Sequence, residues 1–186
     1  FDNYVDQFRI FVNQIPEEGT LIYCAEDKEV VTVCENASKV KRRLSYGIPA
    51  HRIVDGNTIL ETEYGEYTLQ IFGKHNLMNL EGARLMCNEA GVNDENYYSA
   101  IASFKGAARR LELVHREPGK VVYRDFAHSP SKLKATIEAV REQFEGWKLV
   151  ACMELHTFSS LSEQFLAHYS GSMDQADQAF VYFNPQ

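Results

Sequence analysis

The last third of the chain alternates between strand-like and helix-like segments, and this alternation constrains the fold more than any other feature. Apolar side chains recur at helical spacing over 131–144, whereas 148–153 contains an apolar run of strand length. The predicted order is strand, helix, strand, helix, strand: 121–125, 131–144, 148–153, 161–169 and 179–183. Alternation of this kind predicts a parallel sheet with right-handed crossovers. Three strands make about half of a doubly wound, Rossmann-like α/β domain.

The earlier part of the chain also reads as a series of α/β units. A helical stripe precedes Pro16 and consists of Tyr4, Phe8, Phe11, Val12 and Ile15. The pattern then predicts a strand at 20–25, a basic-faced helix at 36–46, a hairpin of strands 58–63 and 67–72, and two helices that end at Gly91 and Gly106.

A turn signal near the middle of the chain gives a candidate domain boundary. Two strand-like runs, 111–114 and 121–123, flank the segment 117–120, in which Pro118 is followed by Gly119. Pro followed by Gly is typical of a type II turn. We therefore predict one domain over 1–116 and a second over 117–186.

Charge and composition exclude several classes of protein. The chain has 19 Lys and Arg against 26 Asp and Glu, a formal net charge of −7, which argues against a general binder of nucleic acid or anionic membranes. No apolar run approaches the length of a membrane-spanning helix. The four cysteines are scattered without a C-x-x-C pair, so neither zinc nor a disulfide framework is indicated, and a reducing cytoplasm is the expected location.

Two amide side chains follow the predicted strand 67–72. Asn76 and Asn79 are three residues apart at a strand-to-helix corner, so they share one face of the helix, with His75 beside them. An amide both donates and accepts hydrogen bonds and can match the N6 and N7 edge of adenine. The alternative is that Asn76 is a helix N-cap, Asn79 a solvated residue and His75 a packed or surface histidine.

An arginine pair stands where the second predicted helix gives way to a strand. Arg110 can stack on a purine or bind phosphate through a two-pronged contact, because its guanidinium is planar and always charged. The alternative is that Arg109 and Arg110 form a solvated face, with Glu112 as a salt-bridge partner.

Two further polar clusters follow predicted strands, and ligands of open α/β sheets gather at such carboxyl ends. In the first, Asp125 can accept hydrogen bonds from ribose hydroxyls or merely cap the turn, while His128 at a helix start can face phosphate. In the second, which includes His156 and Ser159, the side chains can contact substrate or form a polar loop.

Together, these segments resemble the Mur ligase family of ATP-dependent peptidoglycan enzymes over nearly the whole chain. The resemblance rests on three motifs in family order: Gly73-x-His75-Asn76-x-x-Asn79 with Ala83 following, Phe104-x-Gly106 before Arg109-Arg110-x-Glu112, and Asp125-Phe126-Ala127-His128-x-Pro130. It implies that the chain is the back of the central ATPase domain followed by the front of a Rossmann-like C-terminal domain. It also implies that the remaining domains of a parent ligase complete the enzyme.

The resemblance assigns roles to the candidate residues. It implies that Asn76 and Asn79 contact adenine, that Arg110 lies against the nucleotide, and that Asp125 approaches it across the domain cleft, with His128 and His75 as neighbours. ATP and Mg²⁺ are the implied cofactors, and UDP-N-acetylmuramate with a peptide or amino acid are the implied substrates.

Within the family, the second and third motifs are most similar to those of the murein peptide ligases. These join L-alanyl-γ-D-glutamyl-meso-diaminopimelate to UDP-N-acetylmuramate in peptidoglycan recycling. Ser129 and the segment 154–157 depart from the family pattern. The alternative within the family is a UDP-N-acetylmuramate:L-alanine ligase.

The chain contains no phosphate-loop signature G-x-x-x-x-G-K-[ST]. The resemblance places that loop and the magnesium ligands before Phe1, so we assign no catalytic residue here and expect the isolated fragment to be inactive. An alternative from another class is a non-catalytic nucleotide-binding module.

Overall fold

The computed structural model describes residues 2–155 and 162–184. Within it the chain divides into two compact units: Phe1–Ala50 with His75–Ile101, and His51–Lys74 with Ala102–Gln186. The domain boundary between residues 116 and 117 stays a prediction.

A parallel β-α-β motif organises the first unit. Strands β1 (Thr20–Cys24) and β2 (Arg42–Tyr46) pair in parallel, and helix α2 (Lys28–Glu35) connects them. A crossover of this kind is required because parallel neighbours cannot be joined by a tight turn. Asp27 starts α2 as its N-cap, its carboxylate accepting hydrogen bonds from two backbone amides of the first turn at 2.9 and 3.1 Å.

The helix predicted at 36–46 is wrong. Residues 42–46 form β2, and the helix lies earlier, over 28–35. Residues 42–46 form a strand because they pair with β1. Arg43 also holds this strand to the end of α2, since its guanidinium donates hydrogen bonds to the carbonyl of Cys34 at 3.1 Å and to that of Ala37. The consecutive residues Arg42 and Arg43 therefore lie on opposite faces of a strand rather than on one helix face.

Helix α1 (Asp2–Val12) closes the core of the first unit with only part of the predicted stripe, because Val12 is buried as expected but the aromatic side chains are not. Val5 and Val12 are buried against a cluster of apolar side chains from β1 and α2 and the segment that follows α2: Leu21, Val33, Cys34, Ala37 and Val40. Tyr4, Phe8 and Phe11 are exposed. The buried pair is seven positions apart, two helical turns along one face.

Helices α3 (Lys74–Glu89) and α4 (Asp94–Ile101) confirm the two predicted helices, although α4 ends before Phe104. Leu77 and Leu80 are buried, and Tyr97 donates its hydroxyl to the Leu80 carbonyl at 2.7 Å. This buried hydrogen bond joins the two helices, and the Arg84 guanidinium adds an ion pair to Asp94 at 2.9 Å.

The second unit begins with an antiparallel sheet. Strands β3 (His51–Val54), β4 (Asn57–Thr62) and β5 (Gly65–Leu69) pair in that order, which confirms the first predicted hairpin and adds β3 to it. Strands β6 (Glu112–Glu117) and β7 (Lys120–Arg124) pair in the antiparallel sense on either side of the predicted turn.

The remaining elements follow the predicted alternation. They are helix α5 (Pro130–Gln143), strand β8 (Val150–Leu155), helix α6 (Glu163–Leu166) with a 3-10 turn at Ala167–Tyr169, and strand β9 (Gln178–Phe183). Strands β8 and β9 pair in parallel, as expected. The expected third parallel strand is wrong within the described part of the chain, because β7 pairs with β6 in the antiparallel sense. A short turn brings β7 next to β6, so the backbone of β7 finds hydrogen-bond partners locally and no crossover connection is needed.

Apolar side chains from α5 fill two clusters in the second unit. Leu133 and Ile137 pack with Ala151 and Met153 of β8. On a second patch, Ala139 packs with Phe72 and Leu111, and the half-buried rings of Tyr123 and Phe144 complete that cluster. Residue 111, in the arginine motif, is thus anchored in the core of this unit.

Candidate functional site

The two amide side chains lie in the first turns of α3. The helix begins at Lys74, directly after Gly73, whose φ of 88° is left-handed. Asn76 is the third helical residue rather than the N-cap, so the capping alternative does not describe it. It is half-buried and Asn79 is exposed, whereas Leu77 and Leu80 beside them are buried. Both amides are therefore on the less buried side of the helix.

The arginine motif adopts an unusual backbone. Arg109 has φ 58° and Leu111 has φ 45°, in the left-handed region that residues other than glycine rarely occupy. Gly106, with φ 89°, opens the same segment, and the amide of Arg110 donates to the Ala107 carbonyl at 3.1 Å. The result is a tight turn in which Arg110 is flanked on both sides by left-handed residues.

Two carboxylates hold this turn. The Oε2 atom of Glu112 accepts a hydrogen bond from the Arg109 amide at 2.8 Å and from the Arg124 guanidinium at 2.9 Å. These contacts, the backbone amide first and the Arg124 side chain second, lower the pKa of Glu112 below its usual value. The Oδ1 atom of Asp125 accepts from the Leu111 amide at 2.9 Å.

Asp125 also joins the turn to helix α5. Its Oδ2 atom accepts a hydrogen bond from the Thr136 hydroxyl at 2.8 Å. The half-buried carboxylate thus uses one oxygen for the backbone of the arginine motif and the other for the helix. Each oxygen can accept a second hydrogen bond, so a ligand hydroxyl can still be recognised.

A cationic and aromatic surface lies beside Asp125. The guanidinium carbon of Arg110 is 6.0 Å from the centroid of the Phe126 ring, within the range of a cation–π contact. The rings of Phe126 and His128 are 4.9 Å apart, and Nδ1 of His128 is 3.0 Å from the Phe126 carbonyl oxygen. The hydroxyl of Tyr169 donates to the His128 carbonyl at 2.7 Å, which fixes the loop ahead of α5.

This loop borders a cavity of about 970 Å³ within the second unit. Its lining includes the polar side chains of Asp125 and His128, the Phe126 ring, and the apolar Leu133 and Ile137 of α5. A cavity that combines apolar walls with a few convergent polar groups is typical of small-molecule sites.

The structure therefore brings together some of the predicted residues. Arg110, Asp125 and His128 lie in one neighbourhood of the second unit. Asn76, Asn79 and His75 share the start of α3. A common adenine site for the two groups stays a prediction, and His156 and Ser159 lie outside the described residues.

Sequence reasoning missed three contributors to this neighbourhood. Phe126 was visible only as the residue after Asp125 in the third motif. The ion pair with Arg124 confirms the predicted salt-bridge role of Glu112, but its contact with the Arg109 backbone amide was not predicted. Nothing in the sequence marks Thr136 as the partner of Asp125.

In the parts of the chain with described coordinates, no group of three or more His, Cys, Asp and Glu side chains could hold a metal ion. These residues therefore do not fit a magnesium site by themselves. Among the same residues, no helix has the length and apolar character needed to cross a membrane.

No protein-family model matches the chain. Among curated proteins, it is 30% identical over 189 residues to the UDP-N-acetylmuramate–L-alanine ligase of Renibacterium salmoninarum, an alignment that covers 95% of this chain and 40% of the relative. Relatives of the same name in Mycolicibacterium gilvum and Chlorobaculum tepidum are 29% and 28% identical.

Solved structures match the fold over the same extent. UDP-N-acetylmuramate-alanine ligase MurC from Thermotoga maritima gives a TM-score of 0.70 at 17% identity, over 98% of this chain and 41% of that one. A murein peptide ligase from Psychrobacter arcticus gives a TM-score of 0.59 at 20% identity, and the match covers 97% of this chain and 40% of that one. An FPGS complex with AMPPCP and folate gives a TM-score of 0.71 at 12% identity, and the match covers 97% of this chain and 46% of that one.

Sequence and fold agree on the same relatives. The chain spans about 40% of the length of the curated proteins it matches, and it aligns with them over nearly all of its own length. In sequence and in fold, the chain is therefore similar to a segment of Mur ligases over nearly its whole length.

Proposed function

We propose that this chain is the nucleotide-binding segment of an ATP-dependent ligase that forms an amide on UDP-N-acetylmuramate. The observation that carries the proposal is the neighbourhood of Arg110, Phe126 and Asp125, where a guanidinium, an aromatic face and a carboxylate lie together beside a cavity. Such groups suit the base, ribose and phosphates of a nucleotide.

The proposed reaction has two steps. ATP phosphorylates the lactyl carboxylate of the muramic acid, and the incoming amine then attacks the acyl phosphate and releases phosphate. Activation is needed because a carboxylate is a poor acyl donor. The residues of this chain bind and orient the nucleotide: Asn76 and Asn79 recognise adenine, Arg110 lies against the nucleotide, and Asp125 accepts from the ribose, with His75 and His128 nearby.

The phosphate and metal contacts are proposed to come from elsewhere in the complete protein. The 186 residues contain no phosphate-loop signature, and their described part holds no group of three metal-ligating side chains. Phosphoryl transfer depends on a backbone cradle, a Lys and Mg²⁺ to offset the developing charge. We therefore propose that the isolated chain neither hydrolyses ATP nor ligates substrates, and that residues 1–116 and 117–186 belong to two domains of the complete ligase.

Two amine substrates are proposed, each on its own observation. The residue pattern of Arg109–Glu112 and Asp125–His128 favours the tripeptide L-alanyl-γ-D-glutamyl-meso-diaminopimelate. The curated relatives named above favour L-alanine. His156 and Ser159 are proposed to face the amine substrate in either case.

The test uses the complete protein that contains this chain. It is incubated with UDP-N-acetylmuramate and ATP in the presence of equimolar L-alanine and tripeptide, and the product is identified by mass. A tripeptide adduct selects the first candidate and an alanine adduct the second. Nucleotide binding without any ATP-dependent adduct contradicts the ligase proposal and favours a non-catalytic nucleotide-binding module.

A further inference from the structure

The backbone on either side of Arg110 is held in a conformation that its residues would not adopt alone. Arg109 and Leu111 have φ of 58° and 45°, and neither is a glycine. Left-handed residues of this kind persist only where the surrounding structure holds them, and they cluster at functional sites. The cause of this conformation is therefore to be found in what the two residues contact.

Each of these residues has its amide held by a carboxylate. Glu112 accepts from the Arg109 amide at 2.8 Å, and Asp125 accepts from the Leu111 amide at 2.9 Å. Hydrogen bonds from an amide to an ionised carboxylate are stronger than neutral ones. Arg110, whose side chain is the one expected to contact the nucleotide, lies between the two held amides.

The carboxylates are themselves fixed by other elements of the second unit. Glu112 is ion-paired to Arg124 of β7 at 2.9 Å, and Asp125 accepts the Thr136 hydroxyl of α5 at 2.8 Å. The side chain of Leu111 is buried in the apolar cluster with Phe72. The turn is thus anchored from β7, from α5 and from the core, while Arg110 remains exposed over Phe126.

We infer that Glu112 and Asp125 are positioning residues, which hold the turn at 109–111 so that Arg110 is presented over Phe126 toward the nucleotide. The inference rests on the proposed nucleotide site and adds to it a role for Glu112 and a second role for Asp125. Asp125 acts on the nucleotide chiefly through the Leu111 amide, and a direct ribose contact is secondary.

A double-mutant cycle in the complete protein tests this role. Arg110→Ala and Asp125→Ala are each expected to raise the KM for ATP roughly tenfold. The double variant is expected to be only slightly worse than Arg110→Ala alone, because coupled residues are not additive and only the secondary ribose contact of Asp125 remains to be lost. Glu112→Ala is expected to behave like Asp125→Ala. If Asp125→Ala raises the KM for ATP by the same factor in the wild-type and Arg110→Ala backgrounds, Asp125 acts on the nucleotide independently and the inference is overturned.

A conservative variant sharpens the distinction. Asn at position 125 can accept from the Leu111 amide and donate to the Thr136 hydroxyl oxygen, so Asp125→Asn is expected to retain most of the ATP affinity that Asp125→Ala loses. An Asp125→Asn protein as impaired as Asp125→Ala contradicts the positioning role and points to the charge itself.

A readout without nucleotide separates this inference from the proposed function. Hydrogen exchange, resolved to single amides in the same protein, is expected to accelerate at Leu111 in Asp125→Ala and at Arg109 in Glu112→Ala. Glu66→Ala is the matched control, because Glu66 is an exposed carboxylate whose partner is the Arg52 side chain. Unchanged exchange at both amides overturns the inference. If the variants show the faster exchange but the wild-type protein does not bind ATP, only the proposed function is overturned.

Discussion

The hydroxyl of Thr58 donates a hydrogen bond to Oε1 of Gln143 at 3.0 Å, although the two residues are 85 positions apart. Both side chains are buried, and Nε2 of Gln143 donates in turn to the Gly56 carbonyl at 2.8 Å. One amide at the end of α5 therefore satisfies a strand side chain and a turn carbonyl of the β3–β5 sheet. Buried polar groups of this kind are costly to leave unpaired.

Replacement of that amide by a hydrocarbon is expected to destabilise the protein. Gln143→Leu leaves the Thr58 hydroxyl and the Gly56 carbonyl without a partner, and we expect a loss of about 1–3 kcal/mol of unfolding free energy. Urea denaturation followed by circular dichroism measures it. The second substitution Thr58→Val, added to Gln143→Leu, should recover part of the loss because it removes one orphaned group; a further loss would show that the pair is not coupled.

Gly82 gives a second stability prediction, in the first unit. A Cβ at this position would lie 2.8 Å from Cζ of Tyr46, too close for the ring to stay in place. Gly82→Ala is therefore expected to destabilise the protein by about 1 kcal/mol or more, since overpacking costs about 1–3 kcal/mol and offsets the better helix propensity of Ala.

The sign of that effect should reverse when the ring is removed. In a Tyr46→Ala background the clash is absent, and Gly82→Ala should then stabilise α3 by the propensity difference of about 1 kcal/mol. Thermal unfolding of the four proteins gives the comparison. Destabilisation of equal size in both backgrounds would mean that the contact with Tyr46 is not the reason for glycine at this position.

The predictable part of this fold is the part that local signals decide. The turn between β6 and β7 was predictable because Pro118 and Gly119 mark it, and the end of α3 because Gly91 follows the helix and adopts φ 89°. The strand at 42–46 was not, because its identity depends on pairing with β1, twenty-two positions earlier in register. The buried face of α1 was predicted only at Val12, since the size of the aromatic side chains outweighed their position in the pattern and Val5 was left out.

The candidate site divides in the same way. Arg110 and Asp125 were identifiable from residue type and from their places beside predicted strands. Their connection was not, because it runs from a side chain to the Leu111 amide across 14 positions and depends on a left-handed backbone at a buried leucine. Sequence patterns report which side chains share a face, but not which backbone amides a carboxylate will reach.

Acid should weaken the connection between α5 and the start of β9. Asp177 accepts from the Arg141 guanidinium at 2.8 Å and also accepts the Leu149 amide, and these contacts, Arg141 first, lower its pKa below the usual value of 3.8. Because the pKa of Asp177 is lower in the folded protein, its contribution to the free energy of unfolding is fully present above pH 3.8. That contribution is lost as the pH falls through the folded-state pKa.

The measurement is the pH dependence of stability in a matched pair of proteins. The wild type should lose more unfolding free energy than Asp177→Asn between pH 5 and the acid limit, because the amide cannot titrate but still accepts the Leu149 amide proton. Parallel curves for the two proteins over this range would contradict the lowered pKa of Asp177.

The two amides of α3 provide the sharpest test of adenine recognition. Asn76→Ala and Asn79→Ala in the complete protein are each expected to raise the KM for ATP about tenfold with little change in kcat, because a paired amide contact to a base contributes about 1–3 kcal/mol of discrimination. The preference for ATP over GTP should fall by a similar factor, since the amides match the N6 and N7 edge of adenine and GTP presents an oxygen in place of the N6 amine.

Asn88→Ala is the control on the same helix. Asn88 donates a hydrogen bond to Asp94 at 2.7 Å, so its loss should lower stability without changing nucleotide preference. A loss of ATP affinity that is equal for all three variants, with the ATP to GTP ratio unchanged, would assign Asn76 and Asn79 to the stability of α3 rather than to the base.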